Sequence, residues 1–185
     1  RWPGLSRLKE SAGVKGKVDT YTIGFLLGPR INAAGRISHP SHALRLLLHD
    51  REHTGLLAKN LENLNRQRQA LMGELIFIAE DYAEKQSNDP LIAIADKRFH
   101  GGVIGLLAAR MCEKYFRPAI VMEERAEVLV GSCRSIPGIN IVEVLDTAKD
   151  LLTHYGGHAA AAGFELPKKN LKEFVKRVKK DVKAK

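Results

Sequence analysis

The chain has 185 residues, 44% of them hydrophobic and 28% charged, which excludes wholesale disorder and fibrous classes and suits one domain with its own core or one domain plus an appended helical segment. Its formal charge is +9, but residues 168–185 hold nine Lys/Arg against Glu173 and Asp181, so +7 lies in that tail and the remaining 167 residues carry +2. No apolar run approaches the roughly 18 residues that span a bilayer, and Arg1 opens the chain without a charged-then-apolar leader. The expectations are no membrane segment, no secretion and a piece of a longer protein. Cys112 and Cys133 stand 21 positions apart with no partner motif, which predicts buried free thiols in a reducing, cytoplasmic compartment.

In chain order, Ile23-Gly24-Phe25-Leu26-Leu27 reads as a short helix ended by a Gly28-Pro29 turn. Ala43, Leu44, Leu46, Leu47 and Leu48 predict a helix from Ser41, and Asp50 is a natural N-cap for a longer one. Leu57, Leu61, Leu64, Leu71, Leu75, Ile78 and Tyr82 extend that helix over about residues 51–86, a length that suits an interdomain strut. Ser87-Asn88-Asp89-Pro90 breaks it.

Strands are predicted at 91–95, 119–122, 128–133 and 159–166, with helices at 103–115, 141–152 and from Leu171 through Val182. The fold class is therefore α/β, a mixed β-sheet flanked by helices and preceded by a long connecting helix. The domain reading is 1–50, containing an Arg-rich loop, then the connecting helix 51–88, then 89–185.

Three glycine-bearing clusters combine a flexible backbone with cationic or polar side chains. Gly28-Pro29-Arg30-Ile31-Asn32-Ala33-Ala34-Gly35-Arg36 places two arginines six apart around Asn32 in a predicted loop, and guanidinium forks match phosphate oxygens. Gly131-Ser132-Cys133-Arg134-Ser135 sits at a strand end, where ligands of α/β sheets bind. Gly156-Gly157-His158-Ala159-Ala160-Ala161-Ala162-Gly163 sets a histidine after two glycines whose amides are accessible to an anion. Taken singly, each could be a turn, a strand-end hydrogen bond or a helix C-cap; together they share anion binding.

His100-Gly101-Gly102 opens a helix whose N-terminal amides could meet a phosphate, or which is a plain glycine N-terminus. His39, His42, His49 and His53 lack a well-spaced third ligand, because Asp50 separates the last two, so solvated or capping roles outrank zinc. No paired carboxylates at metal spacing, Walker loop or serine nucleophile elbow occurs, so no catalytic or metal-ligating residue is expected in these 185 residues.

These segments resemble a known family. The run Leu27 to Ile37, the helix segment Leu61-Glu62-Asn63-Leu64-Asn65-Arg66-Gln67-Arg68, the stretch His100 to Arg110, Gly131 to Ser135 and Gly156 to Gly163 are similar, in order, to RecJ-like single-strand-specific exonucleases of the DHH phosphoesterase superfamily. The Gly-Gly-His element marks the superfamily, and Arg-Ile-Asn-Ala-Ala-Gly-Arg points to the RecJ branch. The resemblance implies a DHH-associated C-terminal domain of a bilobed enzyme that hydrolyses single-stranded DNA from its 5′ end with Mn or Mg. The Asp-His-His motif that names the family is not in this sequence, so the metals would sit in a missing N-terminal lobe, and the fragment alone would hold substrate without cutting it.

By resemblance the substrate-binding residues are Arg30, Asn32 and Arg36, facing an inter-lobe cleft, with His100, Arg134, Ser135, Gly156, Gly157 and His158. His158 would stabilise charge at the scissile phosphate. The partner would be single-stranded DNA, and the protein a monomer. Alternatives are a nanoRNase or cyclic-dinucleotide phosphodiesterase of the same superfamily, and a non-catalytic RecJ-related nucleic-acid-binding module.

Overall fold

The computed structural model describes residues 2–48 and 52–185 and divides into two compact units, Arg1–Leu71 and Met72–Lys185, so the division falls inside the longest helix. In the first unit, α1 (Pro3–Ser11) carries proline in its first turn, where the missing N–H costs nothing. The apolar content of that segment is low, and the sequence reading leaves it unassigned. A π-helical turn, Thr22–Leu27, runs directly into α2 (Gly28–Ile37).

Here the expected Gly28-Pro29 stop and the Arg-rich loop are corrected: the run from Arg30 to Arg36 is helical. The reason is local. A proline inside an α-helix loses a bond and presses on the carbonyl four residues back. The wider turn, in which the Gly28 N–H reaches the Ile23 carbonyl, lets the chain pass Pro29 without stopping.

Helices α3 (Ser41–Leu48) and α4 (Thr54–Glu84) match their expectations, α4 at 31 residues being about 46 Å long. The proposed cap Asp50 lies outside the described residues. Leu8, Leu27, Ala33, Ala34, Leu46, Leu61 and Leu64 form this unit's core.

The second unit is built on β1 (Ile92–Asp96), α5 (Gly101–Tyr115), β2 (Ala119–Glu124), β3 (Val128–Arg134), α6 (Ile141–Asp146), β4 (His154–His158), β5 (Ala161–Pro167) and α7 (Leu171–Ala184). The sheet order is β1-β2-β3-β5-β4; β1 and β2 are parallel and every other pair antiparallel, so the mixed α/β sheet is as expected. Two segments differ from the sequence reading. The helix expected over 141–152 stops at Asp146 and resumes as a single 3-10 turn, Lys149–Leu151; the Thr147 hydroxyl donates to the Val144 carbonyl at 2.7 Å and competes with the next helical bond. The strand expected from 159 begins at Ala161, because Ala159 and Ala160 form the turn from β4, which went unpredicted.

One sheet face packs on α6 and α7. Leu129, Cys133, Phe164 and Leu166 meet Ile141, Val144, Leu145, Phe174, Val178 and Val182, and the Phe164 and Phe174 rings lie 4.9 Å apart. Complete burial of such side chains contributes about 1.5–3 kcal/mol each. The other face receives α5 over β2 and β3, burying Val103, Ile104, Leu107, Ala108, Met111 and Cys112. The β1 edge is closed by Gln86, whose side-chain amide donates to the Ala93 carbonyl and accepts from the Ala93 N–H, both at 3.0 Å. An edge strand is thereby paired without a sixth strand.

At the end of β1, buried Asp96 accepts from Arg98 Nε at 2.9 Å, Arg98 Nη2 at 2.6 Å, the Arg98 N–H at 2.8 Å and the Tyr82 hydroxyl at 3.2 Å. The Arg98 side chain is the largest influence holding its carboxyl at about 2, below the usual 3.8, and burial opposes it. A carboxyl with a lowered folded-state value stabilises the fold above the unfolded value and loses that contribution as pH falls toward the folded one. Because Arg98 is half exposed, we expect a loss of only about 1–2 kcal/mol between pH 4 and 2. Thermal melting across that window should show a decline that Asp96→Asn flattens.

Candidate nucleic-acid interface

In the second unit, directly paired residues on antiparallel strands point to the same face, and that rule assembles the site. On the α5 side of the sheet, Arg134, Ala161 and His158 form one row across β3, β5 and β4. The next row is Ser132, Gly163 and Gly156, and the next Val130, Glu165 and His154. Helix α5 stops at β3, so Gly156, Gly163, His154 and His158 remain exposed. A shallow groove of about 310 Å³ lies over this floor, lined among others by Val130, His154, Gly156, Gly163 and Glu165.

The cationic end of the floor, beyond the residues that line this groove, is well fixed. Arg134 Nη1 donates to the Cys133 carbonyl at 2.7 Å and to the Ser132 hydroxyl at 3.3 Å, leaving its other N–H groups for a ligand. A side chain at position 105 of α5 would stand 3.1 Å from Ser132 Oγ and 3.2 Å from Arg134 Nη2, so Gly105 makes room for both groups beside the helix. His158 is exposed, and its imidazole makes no hydrogen bond among the described residues. One strand, β5, separates it from Arg134, two inter-strand spacings or about 10 Å. The opposite end is less favourable to anions: Glu165 lies 3.9 Å from His154, and Glu123 pairs with Arg125 at 2.7 Å.

The turn between β4 and β5 is held by the loops around it. The Ser135 N–H donates to the Ala160 carbonyl at 3.0 Å and the Ile141 N–H to the Ala159 carbonyl at 2.9 Å. Gly157 is required there: a Cβ would fall 2.3 Å from the Ala161 carbonyl oxygen and 2.5 Å from Ala162 Cα. Gly157→Ala should therefore lower stability by about 1–3 kcal/mol and speed amide exchange along β4. Gly156→Ala, with open space at its Cβ position, should melt like the parent.

The structure thus brings together Arg134, Gly156, Gly157 and His158. Ser135 is beside them, but its hydroxyl donates to the Ile139 carbonyl at 2.7 Å and shapes the loop that leads to Asn140, the N-cap of α6. His100 stands elsewhere along the same face. It is the N-cap of α5, its Nδ1 accepting from the Gly102 N–H at 3.1 Å, and position 101 meets Glu123 rather than Arg134. Arg30, Asn32 and Arg36 belong to α2 in the first unit. There Arg30 Nε donates to Glu62 at 2.5 Å and Nη1 to the Leu26 carbonyl at 2.7 Å, joining α2 to α4. Asn32 is exposed, and half-buried Arg36 lies near Arg68, whose Nη2 donates to buried Asn65 at 3.0 Å.

Gly105 and His154 escaped the residue-level reading as site members. The signal for the last was the alternation His154, Gly156, His158, a period of two that marks one strand face. The cysteines supply no nucleophile: both are free and buried, and burial pushes both thiols upward, Cys133 far upward. Among the described residues no three His, Cys, Asp or Glu side chains stand together as metal ligands, and no described helix is long and apolar enough to cross a membrane.

The DHHA1 domain family model matches residues 88–184. The chain belongs to the DHHA1 domain family. Its sequence is RecJ-like over most of its length: it is 38% identical over 168 residues to the single-stranded-DNA-specific exonuclease RecJ of Bacillus subtilis, covering 88% of this chain and 21% of that protein. Its fold matches the crystal structure of RecJ in complex with Mg2+ from Thermus thermophilus at a TM-score of 0.90 and 34% identity, covering 100% of this chain and 29% of that one. It also matches an exonuclease RecJ bound to manganese at 0.85 and 35%, covering 98% and 45%. The chain therefore spans less than half the length of these relatives.

Proposed function

We propose that this chain is the substrate-holding C-terminal part of a 5′–3′ single-stranded-DNA exonuclease that hydrolyses phosphodiester bonds with Mn2+ or Mg2+ held outside these 185 residues. The observation that carries the reading is the row Arg134–Ala161–His158 beside an exposed glycine floor. A guanidinium with free donors and an unengaged imidazole flank a surface where no side chain blocks the approach of a nucleic-acid backbone, and Gly156 and Gly163 let phosphates come close to the sheet. Likeness to RecJ proteins of Bacillus and Thermus supports the choice of single-stranded DNA. The chain's own groups bind and orient: Arg134 holds a phosphate, and His158 donates to oxygen where charge develops. Bound metal would supply the activated water. We take the protein to act as a monomer in the cytoplasm, the compartment resting on two free buried thiols.

Fluorescence anisotropy with a labelled oligothymidylate checks the binding half. We expect weak, steeply salt-dependent binding, with Arg134→Gln reducing affinity about tenfold or more and lowering the log–log salt slope by about 0.7. Affinity unchanged by both Arg134→Gln and His158→Ala would sink the assignment of this face. The 185-residue chain should release no nucleotides with either metal. In the longer protein that carries the metals, His158→Ala should lower turnover about 10²–10³-fold with an unchanged melting temperature. A melting temperature lowered in step with activity would instead make His158 a structural residue.

A further inference from the structure

The tail charge is organised in the folded chain. Helix α7 buries Phe174, Val178 and Val182 against the sheet face opposite the glycine floor. On its outer side Lys169, in the 3-10 turn that leads into the helix, then Lys172, Lys176, Lys180 and Lys183 follow at spacings of three and four residues. At 100° per residue, the four lysines within α7 share a sector about 80° wide, roughly opposite the buried stripe, and Lys169 precedes them. All five are exposed.

The other cations of this segment are engaged. Arg177 pairs with Asp150 at 2.7 Å and Glu173 at 2.9 Å, Lys179 with Asp89 at 2.5 Å, Lys185 with Asp181 at 3.2 Å, and Lys168 with Glu124. Lys169, Lys172, Lys180 and Lys183 have no acidic partner among the described residues, and Lys176 only reaches Glu173 at 4.0 Å.

A face that merely keeps a helix wet alternates its charges, as this helix does at Glu173–Arg177 and Asp181–Lys185. The outer stripe instead sets lysine over lysine at 172, 176 and 180, where like charges repel. Such a row gains only when a polyanion neutralises it. The four heads of α7 run for roughly 16 Å in a line, successive Cβ atoms about 5–6 Å apart, a linear array that follows a sugar–phosphate backbone, and Lys169 stands at its leading end. We propose that the lysine stripe of α7 is a second, sequence-independent contact for a nucleic-acid backbone, on the side of the sheet away from the Arg134–His158 row. It does not depend on what that row binds.

The test compares three proteins of 185 residues: the parent, the stripe variant K169Q/K172Q/K176Q/K180Q/K183Q, and a scattered variant K15Q/K17Q/K59Q/K97Q/K149Q of equal net charge. Each is titrated with a fluorescein-labelled 30-nucleotide single strand over a salt series. The stripe variant should lower the log–log salt slope by about 2–3.5, at about 0.7 per lost phosphate contact, and the scattered variant by less than about 0.7. The decrement should persist in an Arg134→Gln background, which separates this face from the first.

Relief of lysine–lysine repulsion should leave the stripe variant melting at or above the parent temperature. K172Q/K176Q, with an expected decrement of about 1.4, repeats the test with less change to the helix. Equal decrements in the stripe and scattered variants, or none in either, would overturn the proposal. So would stripe-dependent binding to phosphatidylserine vesicles without an effect on the oligonucleotide slope, which would make this a membrane-facing surface.

Discussion

Unequal cover of one five-stranded sheet is the constraint on which the rest of the second unit depends. Helices α6 and α7 cover one face around Phe164 and Phe174, and the apolar area buried there anchors the domain. On the other face α5 covers β2 and β3 and stops. A hairpin extended beyond that helix must present an exposed surface, and β4 and β5 do so with glycines and histidines where a buried strand would carry branched apolar side chains. The floor of the site is thus a consequence of layer geometry as much as of the residues on it.

Hydrogen bonding then turns an exposed surface into a fixed one. The two carbonyls of the β4–β5 turn accept from Ser135 and Ile141, so the strand-end motif, the turn and the start of α6 are one connected unit. Arg134 is held to its own strand through the Cys133 carbonyl and Ser132, and Gly105 leaves space beside it. A donor held in place before the ligand arrives loses less entropy on binding, which is the physical advantage of placing it on a strand in preference to a free loop.

Charge is sorted by face in the same unit. The glycine floor is cationic at one end and carries Glu165 at the other, so an anion meets a gradient from row to row of the sheet. Across the sheet, α7 pairs the cations near its buried edge with Asp89, Asp150 and Glu173 and leaves its outermost lysines to solvent. Net charge alone conveys neither arrangement. A value of +9 is compatible with a uniform surface, and it is helical periodicity that gathers four lysines of α7 into one line.

Much of this was legible in the sequence. Period-3.6 patterns located α3, α4, α5 and α7, apolar runs located β1, β2 and β3, and the glycine clusters marked Arg134 and His158, because these signals are local and each residue's neighbours carry them. What stayed hidden depends on partners distant in the chain. Strand β4 has too few apolar side chains to announce itself and exists because β5 pairs with it. The helix through Pro29 needs a π-turn that no propensity predicts, and the hydrogen bonds of Ser135 to the Ile139 carbonyl and of His100 to the Gly102 N–H are set by the fold. The sequence by itself determined which groups can bind a phosphate. Only the tertiary structure decided which of them stand in one row, since that row is set by strand register, a relation among residues up to 27 positions apart.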